Sequence, residues 1–261
     1  MYRHLIGARI RAQLQYRTSF VLTTIGSFAL TAVDLVELLV LFRHFDALAG
    51  WSLPEIALLY GISGVGIAIG DMLIGHVEQL HVDIRSGQFD VVLLRPAGTL
   101  LQVASSDIAL RKLGRCAQAL IPLVYAFAAG AFVVTPDRIL LLALCVVSAA
   151  VVFAAVFVLG ACLTFFTVGS GEVSAAFSYG GSYLSSYPLD IFGRLLRRAL
   201  AFAIPLAFVV YFPSLYMLDK NDPLDMPQWF QFAAPFAALG FGLVALFVWR
   251  VSVRHYRSTG S

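Results

Sequence analysis

An all-α fold that crosses a membrane six times is what this sequence predicts, and three observations predict it. Only 13% of the 261 residues are charged while 60% are hydrophobic, against roughly 25% charged in an ordinary soluble domain. Mean hydropathy is +0.85, and the apolar residues come in long blocks, without the alternating or heptad spacing of a soluble core. Arginine and lysine gather in some of the intervening stretches and almost desert the others.

The N-terminal arm, "MYRHLIGARIRAQLQYR", mixes arginines with Leu5, Ile6, Ile10 and Leu14. Such a segment, 1–18, suits a helix lying in the headgroup plane with its arginines toward lipid phosphate. The apolar run over 20–42 resembles a signal peptide in its basic flank and in the "ALA" at Ala47–Ala49, which mimics a cleavage site. It covers roughly 35 Å at about 1.5 Å per residue, a full bilayer crossing, where a signal core holds about 7–15 residues. It is therefore read as an uncleaved first span.

Further blocks fall at 55–74, 113–134, 139–168 and 232–249. The positive-inside rule places Arg3, Arg9, Arg11 and Arg17 on the cytoplasmic side, with Arg85, Arg95, Arg111, Lys112 and Arg115, and with Arg250, Arg254 and Arg257. Only Arg43, Arg138 and Lys220 go to the other side, and Arg194, Arg197 and Arg198 are undecided. Both termini are then inside, which demands an even number of spans. Two drawings give six. In one, "EVSAAFSYGGSYLSSYPLDIF" lies on the cytoplasmic surface and 199–218 is the fifth span. In the other, 173–187 is the fifth span and 188–218 enters and leaves the outer leaflet as broken helices. Charge favours the first. Pro205 and Pro213 favour the second, because proline breaks the helical ladder and non-helical backbone survives at membrane depth only under protein cover.

Catalytic templates are missing: there is no HExxH, no GxSxG and no GxxxxGK[ST]. Cys116, Cys145 and Cys162 lie in apolar blocks without CxxC spacing, so neither a disulfide framework nor a zinc site is suggested and they are read as small packing residues. "GVGIAIGD", residues 64–71, fits neither a nucleotide loop nor an intramembrane protease motif. Gly66 and Gly70, one turn apart, fit a close helix contact instead. Asp71 is read as a solvated residue at the end of the second span.

Asp34 and Glu37 stand out, since an acid near mid-span costs about 2.5–3.5 kcal/mol and must face protein or water. At i and i+3 they share a helix face. They are a polar lining of a translocation path, or proton carriers, or an acid pair held at a helix interface; the sequence leaves these open.

The stretch "IRSGQFDVVLLRP", 84–96, is charged, glycine-broken and amphipathic between two greasy segments. Phe89, Val92 and Leu93 fall at i, i+3 and i+4 and predict an apolar stripe, a usual way for a helix to enter a groove. Gly87 and Pro96 bracket it, and Asp90 near the helix start suits the positive dipole end.

With "LLRPAGTLLQVASSDIALRKLGR" following, this passage resembles the loop after the second span in the membrane subunits of ABC-2 type ABC transporters, where an R-x-G-x-(apolar)-(acid)-x-x-LL-x-P pattern recurs. Together with "YPLDIFGRLLRRALAFAIPLAFVVYFPSLYML", the chain resembles the subgroup related to viologen and daunorubicin-type drug exporters. The resemblance implies that 83–96, with Arg85, Gly87, Phe89, Asp90, Val92, Leu93, Arg95 and Pro96, is a cytoplasmic coupling helix docking on a separate ATPase. It implies a re-entrant outer hairpin over 188–218 marked by Pro188, Pro205 and Pro213, and so favours the second drawing. It also implies a second permease subunit, a path between the two protomers lined by parts of the first, second and fifth spans, and a small-molecule cargo. ATP and Mg are expected on the partner ATPase and no cofactor in this chain. Membrane lipid, not nucleic acid, is the surrounding partner. The expected location is a bacterial inner membrane, and the rival expectation is a proton-coupled secondary transporter using Asp34 and Glu37.

Overall fold

A computed structural model describes residues 11, 15–106, 109–166, 170–193, 197 and 205–256. The interfacial helix expected over 1–18 lies almost entirely outside them, as do Arg194 and Arg198. The described residues form helices and connections, and among them the sole β feature is an isolated bridge between Leu48 and Trp51. The helices are α1 (Arg17–His44), α2 (Leu53–Ile74), α3 (Leu80–Arg85), α4 (Gln88–Leu93), α5 (Thr99–Ser106), α6 (Leu113–Ala128), α7 (Pro136–Cys162), α8 (Ser170–Ser185), α9 (Phe212–Met217) and α10 (Ala234–Arg254). Four segments are long and apolar enough to cross a membrane: α1, Leu53–Arg85, Pro136–Phe165 and α10. Helices α6 and α8 hold 16 residues each. At about 1.5 Å per residue that is shorter than the ~30 Å hydrocarbon core. The chain is thus an all-α, polytopic membrane protein.

Local chemistry sets the helix boundaries. Helix α2 starts at Ser52, whose N–H and hydroxyl both donate to Glu55 Oε2 at 2.7 and 2.9 Å, which satisfies an otherwise orphaned donor of the first turn. Helix α7 starts with Pro136 after Thr135 and carries Asp137 in its first turn, where proline lacks a donor the helix does not need and an acid meets the positive dipole end. Helix α6 stops at Gly130, φ +68°. There Ala131 N–H bonds Ala126 O at 3.0 Å and Gly130 N–H bonds Phe127 O at 3.2 Å, a left-handed cap that favours glycine.

Helix α2 is the centre of the bundle and is buried along most of its length. Its glycines explain how closely it is approached. A Cβ added to Gly66 would lie 2.5 Å from Ala149 Cβ, and one on Gly70 3.0 Å from Ala150 O, so α7 rests directly on the α2 backbone. Gly61 and Gly64 face Leu123 and Ala119 of α6 in the same way. Small residues let dispersion act over many atoms where lipid offers no hydrophobic drive. Helix α1 is peripheral: Leu38 is its one buried residue among those described. It meets α6 where Gly114 lies against the Thr24 carbonyl.

The bundle has two distinct ends. At one, residues 75–106 fold into a layer with its own core of Val77, Leu80, Ile84, Phe89 and Val103, packed on Val158, Cys162, Ala245 and Trp249 of α7 and α10. At the other, 45–52, 188–193 and 205–233 cover the bundle. Pro188 precedes a short turn over Leu189–Ile191, Pro205 is half-buried and Pro213 is buried early in α9. The helix widens to a π turn over Ala207–Tyr211 just before Pro213, where a regular turn would drive the ring into the carbonyl of Val209.

Candidate functional site

Three polar or aromatic constellations lie outside ordinary packing. The first is the layer over 75–106. Gly87, φ +71°, turns the chain between α3 and α4, a backbone conformation that a side chain would strain. Ser86 N–H and Gly87 N–H close α3 on Val82 O and Ile84 O at 2.9 and 3.2 Å. Beyond α4 the Gln102 amide donates to Val92 O at 3.2 Å and Ala97 O at 2.8 Å, which ties the Arg95–Pro96 exit back onto α5.

The stripe expected to enter a partner's groove is turned inward at its head. Phe89 has no exposed surface. Its ring packs edge-on to Phe165 at 5.4 Å and to Tyr256 at 5.0 Å, and Phe165 in turn meets Trp249 at 5.7 Å. Such edge-to-face pairs add about 0.5–1.5 kcal/mol each beyond burial. The Tyr256 hydroxyl donates to Asp90 Oδ1 at 2.9 Å and Trp249 Nε1–H to Thr99 Oγ1 at 3.0 Å. Val92 is half-buried and Leu93 is 42% exposed. The open face of α4 instead carries Val91, Leu94 at 84% exposure, and Arg95, with Arg85 and Pro96 exposed beside it. Phe89 is therefore the anchor of α4 on its own chain, and the exposed side of this segment is Val91, Leu94 and Arg95.

Asp71 corrects the sequence reading more sharply. It is 2% exposed, not a solvated boundary residue. Lys112 Nζ lies 2.5 Å from its Oδ2 and Arg115 Nη1 3.9 Å away, and the Arg115 guanidinium stands over the Tyr179 ring at 5.2 Å. The last turn of α2, the start of α6 and α8 are thereby pinned together around a buried carboxylate, which is costly to bury unless cations stand beside it as Lys112 and Arg115 do.

The second constellation is the α1–α8 face. The Tyr183 hydroxyl donates to Glu37 Oε1. Glu37 is exposed, Asp34 half-buried, and Tyr183 is 47% exposed with the Tyr187 ring 5.4 Å away. Behind this face, Ser63 of α2 donates to Ser182 O at 3.1 Å and lies 2.6 Å from Ser185 Oγ, and the Gln118 amide donates to Tyr60 OH at 3.2 Å. Two acids on a membrane helix, open on one side of a single chain, demand water or another protein there.

The third closes the opposite end. Trp51 Nε1–H and the Tyr211 hydroxyl both donate to Asp190 Oδ2 at 2.8 Å. Arg197 lies 3.7 Å from Asp190 Oδ1 and donates to Leu189, Asp190 and Phe192 carbonyls. Lys220 reaches Glu55 at 3.1 Å and Gly50 O at 2.9 Å over the Trp51 ring. Arg138 joins Asp219 at 2.6 Å and Met217 O at 2.8 Å. Pro188 directly precedes the Leu189–Ile191 turn that carries Asp190, and Pro213 follows Tyr211 by two residues. Sequence reasoning missed Trp51, Asp190 and Tyr211; the one available signal was an aromatic and an acid inside weakly hydrophobic connections.

Among the described residues no group of three or more His, Cys, Asp or Glu side chains is arranged to hold a metal ion. A family model described as "ABC-2 family transporter protein" matches residues 28–260. No curated protein and no solved structure matches the chain.

Proposed function

This chain belongs to the ABC-2 transporter family as a membrane-spanning permease subunit, and on that footing we propose that it is the membrane half of an exporter driven by a separate ATPase. Two permease subunits, identical or sister chains, pair with two ATPase subunits that hold ATP and Mg. The 75–106 layer and both termini face the cytoplasm at a bacterial inner membrane, six helices span it, and 188–218 forms a re-entrant hairpin on the outer side. The gathering of Arg85, Arg95, Lys112, Arg115, Arg250 and Arg254 at one end supports that orientation.

The observation that carries the coupling reading is α4 itself, seated by a fully buried Phe89 while Val91 and Leu94 stay exposed between Arg85 and Arg95. A short helix fixed by one face with apolar residues on the other is built to receive a partner. ATP binding draws the ATPase subunits together and pulls α4. The Phe89–Phe165–Trp249–Tyr256 cluster hands that displacement to α7 and α10. The spans then rock and the α1–α8 face, with Asp34 and Glu37, changes the side to which it opens. The cargo is a hydrophobic or amphipathic small molecule, in keeping with a wall of apolar residues broken by two acids and two tyrosines. Direction comes from linking its differential affinity for the two states to hydrolysis.

The test is reconstitution. The chain is placed in vesicles with and without a Walker-motif ATPase, and efflux of a lipophilic cationic dye is followed. Efflux that requires ATP and the ATPase supports the reading. Efflux of equal size without the ATPase would sink it.

A further inference from the structure

A groove of about 510 Å³ runs between α2, α7 and α10 and is lined almost wholly by carbon. Its floor is made of small residues, Ala150 and Ala154 of α7 and Ala238 and Gly242 of α10, and Leu73 and Leu246 stand on its rims. The floor is empty for a physical reason. Helix α2 presses on α7 at Gly70, where an added Cβ would lie 3.0 Å from Ala150 O, whereas α10 packs less tightly: a Cβ added to Gly242 would make an ordinary contact with Val151 Cγ1 at 3.6 Å. Leu73, Leu246 and Leu239 are 52, 44 and 63% exposed, so the groove opens sideways from the bundle. Water has no polar partners there.

The end of the groove is charged. Leu239, Leu243 and Leu246 recur on one α10 face and Arg250 follows Leu246 after four residues, which is about 6 Å along the axis. Arg254 is one turn further on, and both arginines are exposed. Neither pairs with an acid among the described residues, and two like charges at i and i+4 repel. An anion placed between them relieves that repulsion and completes the C-terminal end of the groove.

We propose that this groove holds one acyl chain of an anionic glycerophospholipid, with its phosphate on Arg250 and Arg254. The arrangement of an apolar slot ending in a basic pair matches a lipid tail and headgroup in length order, while a neighbouring protein helix would leave the arginines unanswered. The site rests only on the chain's position in a membrane and goes beyond the transport reading; its failure would leave that reading untouched.

The experiment is native mass spectrometry of the full chain released from micelles containing equal phosphatidylglycerol and phosphatidylcholine. The wild-type chain is expected to retain one phosphatidylglycerol in preference. Arg250→Gln should reduce the preference about fivefold, the share that one basic residue contributes at an anionic surface, while a lipid of either kind still binds. Gly242→Leu, or Ala154→Leu if the former melts at a lower temperature than wild type, should fill the slot and remove the retained lipid of both kinds. Unchanged preference in Arg250→Gln, unchanged retention in a correctly folded slot-filling variant, or a wild-type chain that carries a stoichiometric polypeptide and no lipid would each overturn the assignment.

Discussion

The Tyr256 hydroxyl donates to Asp90 Oδ1 across 2.9 Å, joining the residue just past the end of α10 to the first turn of α4. The same tyrosine packs its ring on Phe89 at 5.0 Å, so a single side chain binds both the polar and the apolar side of the helix proposed to receive the ATPase. The bond and the ring can be separated. Tyr256→Phe should lower thermal stability by about 0.5–1.5 kcal/mol, the net worth of one hydrogen bond, and weaken the coupling of ATP hydrolysis to transport. Tyr256→Ala should weaken it further. Equal ATP-to-cargo ratios in wild type and Tyr256→Ala would show that α10 takes no part in transmission.

Phe89 and Leu94 make a matched pair for the face of α4. Truncating a fully buried phenylalanine costs about 3–5 kcal/mol, so Phe89→Ala should reduce the melting temperature of the permease in detergent with no ATPase present. Leu94→Asp, at 84% exposure, should leave that temperature within about 0.5 kcal/mol of wild type. It should nevertheless reduce co-purification with the ATPase. Retained co-purification in Leu94→Asp with unchanged hydrolysis would remove Val91, Leu94 and Arg95 from the contact.

The buried pair of Asp71 and Lys112 is best measured by a double-mutant cycle. Asp71→Asn or Lys112→Met alone should destabilise by about 1–3 kcal/mol, short of the full cost of a stranded buried charge, because Lys112 keeps some access to water and Asp71 keeps Arg115 at 3.9 Å. The two together should lose much less than the sum. Additive losses in a denaturation series would mean that the 2.5 Å contact contributes nothing as a pair.

These residues also show what the sequence could and could not convey. The all-α, membrane-spanning class was legible because hydropathy is a property of each segment alone. Gly66 and Gly70 were legible as a contact because small residues one turn apart mark a face whatever the partner, and Ala149 and Ala150 now supply it. The inward face of α4 was not, because that helix is apolar on both sides and its orientation is decided by Phe165 and Tyr256, far along the chain. Asp71 was misread for the same reason: Lys112, which lets it be buried, is 41 residues away. The acids Asp34 and Glu37 were recognised from their cost in lipid, but Tyr183, which engages Glu37, lies in a serine-rich helix with little hydropathy signal.

Asp34 and Glu37 should tune cargo choice without supplying energy. The double variant Asp34→Asn with Glu37→Gln, and separately Tyr183→Phe, should keep ATP-dependent efflux measurable while shifting the preference between cationic and neutral dyes several-fold. A decisive contrary result is dye movement driven by an imposed pH gradient in vesicles lacking the ATPase and lost in the double variant. That outcome would make the two carboxylates proton carriers.

The two ends of the bundle give the proposed orientation, and the side on which Arg197 lies, a direct test. Arg85 is exposed in the 75–106 layer, and Asn221 is exposed in the cover at the opposite end, next to Lys220 and its contacts with Glu55 and Gly50. On a background with Cys116, Cys145 and Cys162 replaced by alanine, Asn221→Cys should react with a membrane-impermeant thiol reagent added to intact cells. Arg85→Cys should react only once the membrane is opened. Basic residues resist transfer across the membrane, which is why the proposed orientation puts the Arg85 end in the cytoplasm. The Asp190 network with Trp51, Tyr211 and Arg197 ties Asp190 and Arg197 to the Asn221 end, so Arg197 travels with it despite its charge. The reverse labelling pattern would place the α4 surface outside, out of reach of any ATP-hydrolysing partner, and the coupling reading would fall with it.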